Sequence, residues 1–149
     1  MAPRGKVGDP GREAWAIIAE LFFGTEMTTR FHAACERIGV TPPALKALLS
    51  LDPAEPKPMR ALACEWHCDA SWVTSLVDSL EEAGLVSRQI LPADRRVKTI
   101  VLTKKGVSAK SKALDVLNEP PARLMELSRK DQEALCDLLG RLSRAGAGE

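Results

Sequence analysis

The residues best able to do chemistry on a partner are cations and hydroxyls, and they cluster. Between Gly84 and Lys112 stand eight Lys or Arg (Arg88, Arg95, Arg96, Lys98, Lys104, Lys105, Lys110, Lys112) against one acid, Asp94. That is a local charge of +7, so a chain whose net charge is +1 carries −6 elsewhere. A basic lobe on an acidic body is an electrostatic footprint for phosphate. The competing reading is an unevenly charged, solvated surface. Just upstream, Ser71, Thr74, Ser75 and Ser79 offer hydroxyls that can donate to phosphate oxygens or to bases. Trp72 stands among them, either to press on a thymine methyl or sugar or to fold back as core.

These groups need a helix and a hairpin to hold them. Val73, Leu76, Val77 and Leu80 recur at the i, i+3, i+4, i+7 spacing of a helix with one buried face. If they face inwards, Ser71, Trp72, Thr74, Ser75, Asp78 and Ser79 face outwards, where a helix in the major groove meets base edges. Asp69 can accept the free amide protons at the helix start, and Gly84 can take the left-handed conformation that stops it. Leu85–Leu91 and Val97–Leu102 are strand-like runs on either side of Pro92-Ala93-Asp94-Arg95-Arg96, a predicted turn with a charged tip. From such a tip an arginine can enter a narrow minor groove, braced by the Asp94 carboxylate. The alternative is a surface salt bridge contributing ~0–1 kcal/mol. Lys98 and Arg60 add cations beside the hairpin, and the amides at Met59 and Arg60 add fixed positive dipoles.

A helix followed by a two-stranded basic wing is the outline of a winged helix-turn-helix. The expected fold class is mainly α with a small β-hairpin wing, flanked by dimerisation helices. Residues 1–11 (three Gly, two Pro) are expected as a flexible arm. A single long helix is predicted from Arg12 to about Ile38. Its stripe of Trp15, Ile18, Phe22, Met27, Phe31 and Ala34 exceeds what a small core needs and suits a second subunit. Thr41 caps the next helix, DPAEPKP breaks the chain, and Pro58 suits the first turn of a helix from Met59 to about Trp66. Thr103 caps a helix from Lys104 towards Asn118, Pro120-Pro121 redirects the chain, and Ser128 with Asp131 caps the last helix. That helix carries Leu135, Leu138, Leu139 and Leu142 on one face, and the tail from Arg144 is expected to fray. The expected division is 1–11 arm, 12–52 amino-terminal helices, 53–103 DNA-binding lobe, 104–145 carboxy-terminal dimerisation helices and 146–149 tail.

Other functions are disfavoured. Hydrophobic and charged fractions of 45% and 28% are ordinary for a globular protein, and no apolar run approaches the ~20 residues that cross a bilayer. The leader MAPRGKVGDPGRE lacks the apolar core of a secretion signal, so a cytoplasmic location with reduced cysteines is expected. The chain has no glycine-rich phosphate loop, G-x-S-x-G or H-E-x-x-H, so it is not read as an enzyme. Cys64, His67 and Cys68, and separately His32, Cys35 and Glu36, are incomplete sets against the four ligands of structural zinc. No metal or cofactor is therefore expected. Cys136, beside Leu135, reads as structural.

The stretch LVDSLEEAGLVSRQILPADRRVKTIVLTKKG resembles the DNA-binding core of the multiple-antibiotic-resistance regulator (MarR) family. The shared features are the VT-x-LVD-x-LE helix, the GLV-x-R strand, the D-x-R wing and the LT-x-x-G start of the following helix. The resemblance implies a homodimer whose terminal helices interlock and whose two winged lobes read a pseudo-palindrome. It implies that Arg96 is the minor-groove arginine, that Asp94 orients the wing and that Arg88 meets the DNA backbone. It also suggests a small-molecule pocket between the dimer helices and the winged lobe, with Trp15, Phe22, Phe23, Phe31 and His32 as candidate lining. One departure stands out: where Ser75 and Ser79 occur, family members often carry arginine or another long polar residue. The expected function is a transcriptional regulator of double-stranded DNA, most simply a repressor released by a ligand. The alternatives are a winged-helix module for a protein partner and a thiol- or metal-sensing regulator of the same fold.

Overall fold

Apolar residues repeat every three or four positions along most of this sequence, and helices form where they do. The computed structural model describes residues 9–91 and 94–145, with the backbone alone at Leu91, Arg95, Arg96 and Ala145. The elements are α1 (Pro10–Phe23), α2 (Thr25–Ile38), α3 (Pro42–Ser50), β1 (Lys57–Pro58), α4 (Met59–Glu65), α5 (Ala70–Glu82), β2 (Val86–Leu91), β3 (Asp94–Leu102), α6 (Lys104–Leu117), α7 (Ala122–Met125) and α8 (Arg129–Ala145). They fall into two compact units, one ending at Leu117 and one beginning at Asn118.

The single helix expected over residues 12–38 is two helices, and the first starts earlier. Asp9 caps α1, its carboxylate accepting from the amides of Gly11 (3.0 Å) and Arg12 (3.4 Å). At Gly24 the backbone turns extended, with ψ 165°. A Cβ there would lie 2.4 Å from the Glu20 carbonyl oxygen, so glycine alone lets the chain turn this tightly. The apolar periodicity continues across the break and hides it. No residue of α1 is buried within the chain, and Phe23 is 84% exposed. Most of the expected amino-terminal arm, residues 1–8, lies outside the described residues.

The core of the first unit is one cluster. Ala34 and Cys35 come from α2, Leu45 and Leu48 from α3, Leu62 from α4, Val73, Val77 and Leu80 from α5, and Ala109 and Ala113 from α6, closed by Leu51, Leu85, Val86 and Ile100. Alanines at 34, 109 and 113 let α2 and α6 pack closely. Thr41 caps α3 as expected, its hydroxyl accepting from the Ala44 amide at 3.4 Å. The Trp66 indole donates to Ser50 Oγ at 2.8 Å, and Ser50 donates to the Ala47 carbonyl at 2.9 Å, which ties the ends of α3 and α4 together. Burial pushes the Cys35 thiol above its ordinary value.

The wing has three strands, ordered β1-β3-β2, where two were expected. Lys57 and Pro58 pair with Ile100 and Thr99. Proline has no amide proton to give a ladder, so it suits an edge strand of this kind. Pro58 thereby becomes the residue before α4 rather than part of its first turn. In the second unit Ser128 caps α8, accepting from the Asp131 amide at 3.2 Å and donating to the Asp131 carboxylate at 2.6 Å. Helix α8 continues through Arg144 to Ala145, where fraying was expected. Leu135, Leu138, Leu139 and Leu142 are all exposed within the single chain. Among the described residues no helix is long and apolar enough to cross a membrane.

Candidate nucleic-acid interface

Helix α5 is placed by its cap and its apolar stripe. The Asp69 carboxylate accepts from the Ser71 hydroxyl (2.5 Å) and the Trp72 amide (2.9 Å). These bonds hold the Asp69 carboxyl below the usual carboxylate range, the Ser71 bond most strongly. The folded state thus favours the ionised form. Its contribution to stability is complete above the unfolded value near ~4 and is lost as the pH falls through the lower folded value. Asp69→Asn, which caps without titrating, should flatten part of the acid limb. Its Tm, followed by circular dichroism between about pH 6 and pH 2, should fall less steeply than that of the wild type.

Val73, Leu76, Val77 and Leu80 are buried as the spacing predicts, and Ser71, Trp72, Thr74, Ser75, Asp78 and Ser79 are exposed. Trp72 is 49% exposed and stands outside the core cluster, which settles its position against the core alternative. Two hydroxyl protons are already spent: Ser71 donates to Asp69, and Thr74 donates to the Ala70 carbonyl at 2.9 Å. The oxygens of these two residues are left to accept. Helix α4 reaches α5 through Trp66–Asp69, where His67 holds a left-handed φ of 50°.

The hairpin differs from expectation at its tip. Strand β3 begins at Asp94, so Asp94, Arg95 and Arg96 belong to the strand rather than to the turn. Ile90 pairs with Lys98 but Leu91 pairs with Asp94, an uneven step of the kind that bends a strand. Pro92 and Ala93 lie outside the described residues, as do the side chains of Arg95 and Arg96. Lys98 is exposed on β3 and Arg60 is exposed on α4. Together with Pro58, Met59, Asp94 and Val97 they line a cleft of about 480 Å³ between the start of α4 and the wing.

Arg88 makes contacts that spacing alone did not show. Its guanidinium bonds the carboxylates of Asp78 and Glu81, and its amide donates to Glu81 Oε1 at 3.0 Å. The Arg88 amide, followed by its side chain, holds the Glu81 carboxyl below the usual range. Strand β2 is thereby clamped to the outer half of α5. The signal in the sequence is two acids three residues apart, seven to ten positions before a lone arginine. Arg88→Met should leave folding cooperative while amide hydrogen exchange along β2 becomes severalfold faster, and unchanged β2 protection would remove the clamp from the account. Two further cations of the basic segment are also structural. Lys105 donates to the Ala83 carbonyl and Lys110 to the Leu51 carbonyl, each at 2.6 Å, closing the ends of α5 and α3. Part of the +7 therefore faces helix ends and carboxylates.

Of the aromatic set proposed for a small-molecule pocket, Phe31 packs half-buried against the core, while Trp15, Phe22, Phe23 and His32 are exposed within the single chain. Among the described residues no group of three or more His, Cys, Asp or Glu is placed to hold a metal ion, so Cys64, His67 and Cys68 do not converge. Cys64 is exposed, and so is Cys136, which the sequence suggested was structural.

A tight two-helix unit, a polar outer face on its second helix and a three-stranded wing define a winged helix-turn-helix. Residues 40–98 match the MarR family. The chain is 28% identical over 113 residues to the organic hydroperoxide resistance transcriptional regulator of Bacillus subtilis (strain 168), covering 76% of this chain and 74% of that one. Its structure is similar to that of the transcriptional regulator Tm0710 from Thermotoga maritima, with a TM-score of 0.76 and 25% identity over 90% of this chain and 94% of that one. It also shares the fold of S. aureus MepR in its DNA complex, with a TM-score of 0.67 and 19% identity over 85% of this chain and 96% of that one. The winged lobe is thus similar to the MarR family, and the curated relative and solved neighbour that the chain resembles are transcriptional regulators.

Proposed function

We propose that this protein is a transcriptional regulator that binds double-stranded DNA as a homodimer on a pseudo-palindromic operator, most simply as a cytoplasmic repressor that a small molecule releases. The observation that carries the reading is the wing clamped to α5 by Arg88, which ties a basic hairpin to a helix whose outer face is polar and exposed. In this reading Arg96 enters the minor groove, Asp94 orients the wing, and Arg95, Lys98 and Arg60 meet phosphate. Arg88, already engaged by two carboxylates, meets the backbone only beside its clamp and serves first to place the wing. Helix α5 lies in the major groove, with Ser71, Trp72, Thr74, Ser75 and Ser79 towards the bases. Dimerisation gives the exposed apolar residues of α1 and those of α8 a partner. The effector would sit among Trp15, Phe22, Phe23, Phe31 and His32.

The test is retention of genomic fragments by the purified protein at low salt, followed by sequencing and anisotropy titration. Affinity should fall linearly on a log–log plot against salt, with a slope near −0.9 for each neutralised phosphate. If no fragment were retained at low salt, the winged lobe would instead serve a protein partner.

A further inference from the structure

We propose that Trp72 makes α5 a reader of thymine: its indole lies against thymine 5-methyl groups in the major groove and supplies the helix's main base-selective contact. This rests on the DNA-binding reading above. The first observation is position. Trp72 is the third residue of α5, its amide is pinned by Asp69, and it lies at the amino end of the helix, where side chains reach base edges. A large aromatic is usually well buried, yet Trp72 stays half exposed on a face otherwise made of serine, threonine and aspartate.

The second observation is what α5 lacks. Paired hydrogen bonds to guanine come from Arg or Lys and those to adenine from Asn or Gln, and ASWVTSLVDSLEE contains none of the four. The characteristic acceptor from cytosine N4 is a carboxylate, but Asp78 and Glu81 are held by Arg88, and Glu82 is the last residue of the helix. Ser71 and Thr74 have given their protons to Asp69 and Ala70 and keep only short accepting oxygens, which fix no single base. Ser75 and Ser79 carry single short hydroxyls, which suit several bases equally. The thymine methyl is the one apolar group the four bases present in the major groove, and Trp72 is the large apolar group that α5 turns outwards.

The experiment uses operator fragments recovered as above and replaces each thymine in turn with deoxyuridine, which pairs identically but lacks the methyl. Anisotropy is measured with wild-type protein, Trp72→Ala and Trp72→Phe. At one or two positions in each half-site, deoxyuridine should weaken wild-type binding about fourfold, the loss expected for one buried methyl-sized group. Trp72→Ala should be insensitive to those replacements while keeping the wild-type salt slope. Trp72→Phe should show a reduced penalty, and it decides the matter if Trp72→Ala binds too weakly to titrate. Wild-type affinity blind to every deoxyuridine, or a penalty that persists in both variants, overturns the assignment of Trp72 alone. Failure to retain any DNA overturns the regulator reading and this proposal together.

Discussion

Alanine in place of Arg96 should weaken operator binding by on the order of 10- to 100-fold, the ~1–3 kcal/mol of a groove-reading arginine, while Tm and oligomeric state stay at wild-type values. The wing strand runs from Asp94 to Leu102, so Arg96 is its third residue, inside the uneven step between Asp94 and Lys98 that bends β3 at its outer end. A charged arginine side chain suits a solvated face rather than an apolar core, which is why stability should be spared. On a dimer both wings lose the residue, so the effect is felt at each half-site. Fluorescence anisotropy against the selected operator, with a thermal melt in parallel, reads both quantities. Unchanged affinity would remove Arg96 from the interface, and a lowered Tm would mean that it serves the fold instead.

Gly106→Ala should destabilise nearly as much as Gly106→Val, because the obstacle is the first side-chain carbon itself. A Cβ at Gly106 would lie 1.9 Å from the Leu85 carbonyl oxygen and 2.9 Å from its carbonyl carbon. That oxygen already accepts from the Thr103 amide at 3.0 Å, and the Thr103 hydroxyl donates to Gly84 and accepts from Gly106. The start of α6 is therefore tied to the start of β2 from two sides and has little room to retreat. Moving it also withdraws Ala109 and Ala113 from the core. The cost should be ~3 kcal/mol, the upper end of overpacking, or a Tm lower by roughly 6–12 °C for a chain of this size. Equal stability of Gly106→Ala and wild type would show that α6 is not held against β2 as described.

Local features were the most legible. The caps at Thr41, Asp69 and Ser128 bond amides three residues ahead, and the stripe at 73, 76, 77 and 80 follows from helical period alone. Both are interactions within a turn or two, so residue type and spacing suffice to foresee them. The basic lobe could likewise be counted along the chain. Gly24 shows where such reading stops: the helical period runs through it, and only the close approach of the Glu20 carbonyl in the folded chain shows why glycine stands at the break. Residues 92–96 read as a turn with a charged tip in the sequence, yet the ladder carries β3 back to Asp94.

Taken alone, the sequence determined the winged helix-turn-helix order, the buried face of α5, the excess of charge on the wing and the family that these motifs resemble. Tertiary structure decided which cations remain for a partner. Arg88 is drawn to Asp78 and Glu81 across ten and seven residues, Lys105 reaches back to Ala83, and Lys110 reaches Leu51 across fifty-nine residues. It likewise decided that Lys57 and Pro58 form a strand, since two residues have no period to read and pair only once β3 is beside them. It turned Trp72 outwards. Side-chain type states what a group can bond, but which bonds are already taken depends on neighbours that folding brings together from distant parts of the chain.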